Sequence, residues 1–309
     1  MQEDIADAEA GALGFETAAL PQFDLGEFVR RVLAEDLGSG GDVTSRATIA
    51  ADARFVAEMT CREPITVAGL DIAVAFFRAL DREVRVTREV KDADSVAAGT
   101  VLLRLDGNAR AMLAAERSAL NTLQHLSGIA TLTARYVAAI GDGKAKLLDT
   151  RKTVPGLRLL EKYAARMGGA ENHRMRMDDG LLIKDNHVSV AGGVGAVVRL
   201  AKAAATGLPV QVEVDRIDQI EEALAAGADR LLLDNMTADT LRAAVEIVAG
   251  RVPCEASGGV NLDTVAGIAA SGVDFVSVGR ITQSAPAVDI GLDYALQEDR
   301  GSPGDYNLR

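Results

Sequence analysis

The chain has 309 residues, long enough for one large domain or two ordinary ones. Hydrophobic residues make up 48% and aromatic residues only 4%, so the core must consist mainly of Ala, Val, Leu and Ile. The net charge of −12 argues against nucleic acid as the main partner, although a local cationic cluster can still bind a small anion.

Cysteine usage and hydropathy predict a cytoplasmic protein. Cys61 and Cys254 are the two cysteines, and without metal-site spacing they are expected to be reduced. No run approaches the roughly 20 apolar residues of a membrane helix. The first ten residues carry four acidic side chains and no basic one, unlike a signal peptide.

The N-terminal part begins with an acidic, aperiodic stretch over residues 1–22, which we expect to be a mobile tail. A helix should begin near Asp24, with Glu27 three residues later as in a capping box. It should end at the glycine-rich residues 38–41, where the chain needs a positive φ.

A small α/β domain with its linking helices is predicted over residues 23–140. Its predicted strands are residues 55–59, 84–87 and 101–105. One helix is expected over 71–80. A long helical region follows over 109–140, either as one helix or as two that break near Gly128.

Residues 141–290 change to short apolar runs alternating with amphipathic stretches. The runs are residues 147–148, 181–183, 210–212, 231–233, 252–256 and 275–278. The last four strand ends recur about every 22 residues, which predicts right-handed βαβ units. An open sheet also fits this pattern. A parallel α/β barrel is favoured because every run ends at a polar residue or glycine, and barrel strand ends converge on one mouth. Residues 291–309 are a candidate for packing back on the N-terminal domain.

The predicted mouth is cationic. Between residues 144 and 184 there are ten Lys or Arg and five Asp or Glu. Arg151, Lys152 and Lys184 follow buried strands, so we expect them to bind a ligand with several negative charges. A neighbouring group is interpreted as a solvated basic helix face: Arg158, Lys162 and Arg166.

Glu213 and Asp234 end two successive strands. Carboxylates among cations suggest a hydrated Mg²⁺, sugar hydroxyls or a cationic transition state, and the alternative is charge balance with the cations. Asp215 shares the strand face of Glu213. A phosphate cradle is expected after the last two strands, at Ser257-Gly258-Gly259 and Val278-Gly279-Arg280.

The three histidines lack zinc-site spacing. His125 is expected to be structural, and His173, between Asn172 and Arg174, to contact ligand, whereas His187 could do either. No dinucleotide fingerprint, Walker A motif or nucleophile elbow is found.

Several motifs together resemble the quinolinate phosphoribosyltransferase family over about residues 24–290. They are EDLGSGGDVTS (35–45), ERSALNTLQHLSGIATLT (116–133), DTRKTVPGLRLLEKYAARMGGAENHR (149–174), LLIKDNH (181–187), VEVD (212–215), LLLDNM (231–236), EASGGV (255–260) and VSVGRIT (276–282). The resemblance implies that quinolinate and phosphoribosyl pyrophosphate give nicotinate mononucleotide, pyrophosphate and CO₂ with Mg²⁺, in NAD biosynthesis. It also implies a small α/β-sandwich domain beside an incomplete barrel, usually seven-stranded, in a head-to-tail homodimer. Six of those strands are apparent in this sequence.

The resemblance also implies roles for individual residues. The quinolinate carboxylates would be held by Arg151, Lys152, His173, Arg174 and Lys184, with Thr150 in the same motif. Arg117 would enter the site from the partner subunit. Glu213 and Asp234 would face ribose and Mg²⁺, and with Lys152 and Lys184 they form the expected catalytic set. Phosphate would be cradled by Ser257, Gly258, Gly259, Val278, Gly279 and Arg280.

The sequence departs from the family pattern at Ala170-Glu171, at Arg176-Met177 and at Arg280, where a small residue is common. One alternative is a molybdenum-locus homologue with another substrate, against which the His173-Arg174 pair argues. The other is a non-catalytic phosphate-ligand sensor, which would not need Glu213, Asp234 and Arg117 together.

Overall fold

The computed structural model describes residues 23–295, which form a small N-terminal unit and a parallel barrel. The helices are α1 (Leu25–Leu37), α2 (Val43–Thr48), α3 (Leu70–Leu80), α4 (Ala109–Ile140), α5 (Arg158–Met167), α6 (Asp185–Ala191), α7 (Val194–Ala203), α8 (Asp218–Ala225), α9 (Ala238–Val248), α10 (Val265–Ala269) and α11 (Arg280–Gln283). The strands are β1 (Arg54–Cys61), β2 (Ile65–Thr66), β3 (Arg85–Arg88), β4 (Ser95–Val96), β5 (Val101–Asn108), β6 (Lys146–Leu148), β7 (Leu181–Ile183), β8 (Val210–Val214), β9 (Arg230–Asp234), β10 (Cys254–Ser257), β11 (Phe275–Ser277) and β12 (Ile290–Tyr294).

The first helix begins and ends as its sequence predicts. The Asp24 side chain accepts the N–H of Glu27 at 2.8 Å, which satisfies one of the free donors at the start of α1. The helix ends at Gly38, whose φ is +53°. The short helix α2, capped by Asp42, is not predicted by the sequence pattern. The expected tail over residues 1–22 lies outside the described residues.

The N-terminal unit is a four-stranded antiparallel sheet in the order β12-β1-β5-β3. Alternate residues of β1, such as Ala57 and Met59, are fully buried, while Phe28 of α1 packs edge-on against Phe76 of α3. The predicted α/β sandwich is confirmed. Strand β12 comes from the C-terminal end of the described chain and pairs with β1 over Ala57–Cys61.

The helix α4 runs unbroken for 32 residues through Gly128 and connects the two units. A Cβ at Gly128 would lie 2.1 Å from the backbone oxygen of Pro286. Glycine is therefore needed for the close approach of the segment before β12, and it does not break the helix. Among residues 23–295, no helix is both long and apolar enough to span a bilayer.

The second unit is a six-stranded parallel sheet in the order β6-β11-β10-β9-β8-β7. Its strands coincide with the six predicted apolar runs, and the predicted incomplete barrel is confirmed. The sheet does not close between β6 and β7. On the outer side of β6, Glu171 forms a single parallel bridge with Leu148. The seventh strand position is thus reduced to one residue pair, too short to leave an apolar run in the sequence.

The barrel contacts the N-terminal unit through Tyr163 of α5. The Tyr163 hydroxyl donates to Asp92, which also accepts the N–H groups of Gly69 and Leu70 at the start of α3. Burial raises the pKa of Tyr163, and the Asp92 carboxylate raises it further, so the phenol remains protonated. This bond joins α5 to the N-terminal unit, and α5 also carries Lys162, which supports the barrel mouth.

Candidate active site

One cavity of about 730 Å³ lies at the carboxyl ends of the barrel strands. Every predicted site residue except Arg117 lies in its wall. These residues are Thr150, Arg151, Lys152, His173, Arg174, Lys184, Glu213, Asp234, Ser257, Gly258, Gly259, Val278, Gly279 and Arg280. The wall is mostly polar, as expected for a site that binds anions rather than an apolar ligand.

The segment after β6 brings Lys152 against the predicted phosphate loop. A Cβ at Gly279 would lie 2.7 Å from Cδ of Lys152, so glycine is required for the lysine stem to pass. The backbone oxygen of Lys152 accepts the Thr282 hydroxyl at 2.8 Å. The lysine and the glycine loop are thereby held together.

A buried ion pair anchors the loop that carries His173 and Arg174. Lys162 donates to the Asp149 carboxylate and, at 2.8 Å, to the backbone oxygen of His173, and both charged side chains are fully buried. Asp149 also accepts the N–H of His173 at 2.8 Å and the side-chain amide of Asn172. The interpretation of Lys162 as part of a solvated helix face is wrong. Its ammonium points inward because Asp149, at the end of β6, needs a counter-charge.

Burial raises the pKa of Asp149 and lowers that of Lys162, and the opposite charge of each partner counteracts these shifts. Arg158 also lies partly inside, where it donates to the backbone oxygen of Met175 at 3.2 Å and to the hydroxyl of Thr153 at 3.2 Å. Of the three predicted face residues, Arg166 is exposed, although it lies over the Tyr163 ring.

His173 and Arg174 of this loop form part of the cavity wall together with Arg151. His173 Nδ1 accepts the N–H of Arg174 at 2.8 Å, and the Arg174 guanidinium donates to the backbone oxygen of Gly180 at 2.8 Å. Burial lowers the pKa of Arg174, and the nearby charge of Arg151 lowers it further. Like charges brought this close favour a ligand with more than one carboxylate.

Glu213 on β8 and Asp234 on β9 are half-buried in the same cavity. Burial raises the pKa of Glu213, and the neighbouring Asp234 raises it further. Burial also raises the pKa of Asp234, against the opposing charges of Lys152 and Lys184. Asp215 does not share this position, since it lies beyond β8 and contacts Arg216 at 3.5 Å.

The loops predicted to cradle phosphate follow β10 and β11 and form part of the cavity wall. Gly258 and Gly259 both have positive φ, at +86° and +63°. Ser257 ends β10, and its backbone oxygen accepts the N–H of Asn235 at 2.9 Å. Arg280 begins α11 directly after Gly279 and places its charge at this end of the cavity.

The other two histidines are structural contacts. His125 Nε2 lies 2.9 Å from the buried Glu161, which also accepts the N–H of Val154 in the loop after β6. His187 Nδ1 accepts the N–H of Lys184 at 3.0 Å and lies outside the cavity wall. The expectation of a structural His125 agrees with this contact.

Among the nine wall residues that were not predicted as site residues, five carry a carboxylate or a side-chain amide: Asp185, Asn235, Glu255, Asn261 and Gln283. The sequence does mark Glu255, because it lies within an apolar strand, and a carboxylate buried there needs polar or charged partners. Asn235 adopts φ +54°, which asparagine tolerates better than most residues. The other three lie in loops or short helices without periodicity.

Arg117 is exposed on α4 and does not reach this chain's cavity. Its side chain makes no hydrogen bond or ion pair within residues 23–295. Over the same part of the chain, no group of three or more His, Cys, Asp or Glu is arranged to hold a metal ion by itself.

Comparison with known proteins matches both units. The model of the quinolinate phosphoribosyl transferase C-terminal domain matches residues 129–293, and that of the N-terminal domain matches residues 42–127. A carboxylating nicotinate-nucleotide pyrophosphorylase of Mycobacterium leprae is 44% identical over 273 residues, covering 86% of this chain and 95% of that protein. A Bacillus subtilis protein described as a probable carboxylating nicotinate-nucleotide pyrophosphorylase is 38% identical over 276 residues. The match covers 89% of this chain and 95% of that protein.

The structure of the nicotinate-nucleotide pyrophosphorylase from Francisella tularensis superposes with a TM-score of 0.84 at 41% identity, covering 88% of this chain and 96% of that one. Both domain models match in chain order, and the similarity extends over nearly the full length of these relatives. The chain belongs to the quinolinate phosphoribosyl transferase family.

Proposed function

We propose that the protein transfers the phosphoribosyl group of phosphoribosyl pyrophosphate to quinolinate with loss of CO₂, giving nicotinate mononucleotide and pyrophosphate for NAD biosynthesis. The observation that carries this proposal is that one cavity brings together three kinds of group. Cations, the carboxylates Glu213 and Asp234, and a glycine-rich loop with Arg280 all line this cavity.

The cationic wall suits a pyridine dicarboxylate. Arg151 and Arg174 present planar guanidinium groups, which bind carboxylates through paired hydrogen bonds. Lys152 and Lys184 add point charges near Asp234. The Arg174 guanidinium is oriented by its hydrogen bond to the backbone oxygen of Gly180, which favours a pre-positioned binding group.

The proposed reaction follows from these positions. The pyridine nitrogen attacks the anomeric carbon as the bond to pyrophosphate breaks, and the leaving group takes the electron pair. Glu213 and Asp234 stabilise the positive charge that develops on the sugar. The alkylated ring nitrogen then accepts the electrons released when the 2-carboxylate leaves as CO₂, and the ring carbon takes up a proton.

Mg²⁺ is proposed as the accompanying metal. The two carboxylates fit it, because Mg²⁺ is usually bound by one or two carboxylates together with substrate phosphates rather than by a complete protein cage. Burial raises the pKa of both carboxyls, and a divalent cation would offset that cost. Glu213 and Asp234 would hold the ion, which neutralises charge on pyrophosphate when bound.

A homodimer in the cytoplasm is also proposed. Arg117 supports the dimer, because it is an exposed cation on α4 that lies outside this chain's cavity, and the family resemblance assigns it to the neighbouring site. The free, buried state of Cys61 and Cys254 agrees with a reducing compartment.

The direct test is mass spectrometry of purified protein with quinolinate, phosphoribosyl pyrophosphate and Mg²⁺. We expect nicotinate mononucleotide from the wild type and none from Arg151→Ala or Lys184→Ala with the fold intact. Lys202→Ala is the control, since this exposed lysine pairs with Asp229 away from the cavity. Normal turnover by either cavity variant would refute the site. Product from another pyridine or base, but not from quinolinate, would favour the homologue with a different substrate.

The shared site can be tested by mixing two inactive variants, Arg117→Ala and Lys184→Ala. If Arg117 completes the neighbouring site, subunit exchange produces mixed dimers with one intact site, and activity returns to about a quarter of the wild-type value. No recovery after confirmed subunit exchange would contradict the assignment.

A further inference from the structure

A buried carboxylate lies at the floor of the cavity, in a position for which the function above gives no role. Glu255 on β10 has a side chain only 1% exposed, yet it forms part of the cavity wall. Burying a carboxylate away from water costs free energy, so it needs hydrogen-bonding or oppositely charged partners.

Three groups converge on one oxygen of this carboxylate. Gln211 donates its side-chain amide to Oε2 at 2.8 Å, and Arg230 Nη2 lies 2.9 Å from the same oxygen as a charge contact. His173 Nε2 faces it at 3.4 Å. The other oxygen, Oε1, is buried without a hydrogen-bond partner in residues 23–295.

Glu255 is ionised at neutral pH. Burial by itself would raise the pKa of Glu255, but His173, Arg230 and Gln211 together outweigh it and hold the pKa below its ordinary value. An ionised carboxylate only accepts hydrogen bonds, so the His173 nitrogen that faces it must carry the proton.

The second nitrogen of the His173 ring completes the chain of contacts. Nδ1 accepts the N–H of Arg174 at 2.8 Å, so it must carry a lone pair. The ring is therefore the neutral Nε2–H tautomer, and both nitrogens are engaged within the protein. The opposite tautomer would place a proton against the Arg174 N–H and push this backbone out of position.

We propose that Glu255 is a positioning residue: it fixes the His173 tautomer, and His173 in turn fixes the backbone that presents Arg174 to a substrate carboxylate. The effect on substrate rests on the proposed function, whereas the tautomer does not. It gives His173 a different task from the direct carboxylate contact that the family resemblance implies.

The tautomer can be read directly by nuclear magnetic resonance. The chain has three histidines, so the two-bond ¹H–¹⁵N spectrum has three ring patterns, and the pattern that disappears in His173→Gln identifies His173. In the wild type without substrate we expect protonated Nε2 and unprotonated Nδ1. In Glu255→Gln we expect a mixed or reversed pattern, because one oxygen is replaced by an amide donor.

Steady-state kinetics distinguishes a positioning role of Glu255 from a purely structural one. Glu255→Gln should raise the KM for quinolinate by about ten- to a hundred-fold, as expected for a misplaced binding group, with a much smaller change for phosphoribosyl pyrophosphate. Gln211→Met is the matched control. It removes a hydrogen bond to the same oxygen but none to His173, so it should leave the tautomer and both KM values near wild type. Glu255→Asp keeps the charge but withdraws it, and should give an intermediate KM.

A wild-type His173 protonated on Nδ1 would overturn the proposal without any variant, even if Glu255→Gln failed to fold. So would an unchanged tautomer and KM in Glu255→Gln, or an equal rise in KM in Gln211→Met. A wild-type protein that makes no product from quinolinate would instead refute the proposed function and leave the tautomer result standing.

Discussion

Replacing Lys162 by methionine should test how far the buried ion pair supports both stability and the site. The substitution keeps most of the side-chain volume but removes the ammonium that binds Asp149 and the backbone oxygen of His173. Asp149 would keep its bonds from Asn172 and from the His173 N–H, but its charge would have no buried counter-charge.

Removing one partner of a buried pair typically costs about 3–5 kcal/mol. We expect a loss of that size at pH 7, a large share of a total stability on the order of 5–15 kcal/mol. Burial already raises the pKa of Asp149, and loss of Lys162 raises it further. The folded variant then binds a proton more tightly than the unfolded chain. Its stability should recover as the pH falls toward the ordinary carboxyl range, by at most about 1.4 kcal/mol per pH unit.

Urea denaturation followed by circular dichroism at several pH values measures this loss, and steady-state kinetics measures the effect on quinolinate. Lys146→Met is the control, because Lys146 pairs with Glu171 at the exposed surface and should contribute less than about 1 kcal/mol. The double variant Asp149→Asn/Lys162→Met buries no charge, so its cost should be smaller than the sum of the two single costs. Additive costs, or a loss below about 1 kcal/mol in Lys162→Met, would refute the reasoning.

Two other substitutions test the packing and the electrostatics. Gly128→Ala should destabilise the protein by about 1–3 kcal/mol in urea denaturation, because its Cβ would meet a backbone oxygen at 2.1 Å. Gly267→Ala has open space around it and should be neutral or slightly stabilising, so equal effects would contradict this account. Burial raises the pKa of Asp234, which means that its ionised form destabilises the fold above the ordinary value of 3.8. Asp234→Asn should thus unfold at higher urea than the wild type at pH 7, with the difference shrinking as the pH falls toward 3.8, while activity is lost. If Asp234→Asn were less stable than the wild type at pH 7, the predicted destabilising effect of the ionised Asp234 would be wrong.

The order of elements could be read from the sequence because local signals agreed with the tertiary fold. The apolar run of β9 and the polar Asp234 that ends it predicted both a buried strand and a residue at the mouth. Asp24 and Gly38 marked the ends of α1 through their capping and backbone preferences. Gly128 shows where such signals are ambiguous, since a glycine within a helix can signal either a break or a close contact.

Side-chain partners across the barrel could not be read in the same way. Lys162 lies on an amphipathic helix among other cations, where solvent exposure is the ordinary expectation, and it is buried because Asp149 lies 13 positions earlier on the adjacent strand end. Glu255, Gln211 and His173 come from three distant segments, and their shared contact exists only when these strand ends and loops converge.

Local preference and periodicity were enough to predict the alternation of strands and helices, the strand-end positions of the reactive residues and the motifs shared with the family. The folded arrangement was needed to see which charges are buried, which partners shift the pKa values of Asp149 and Glu255, and that Arg117 lies away from its own cavity. The physical reason is that the energy of a charge depends on its burial and on the distance to other charges, and neither quantity is fixed until the chain has folded.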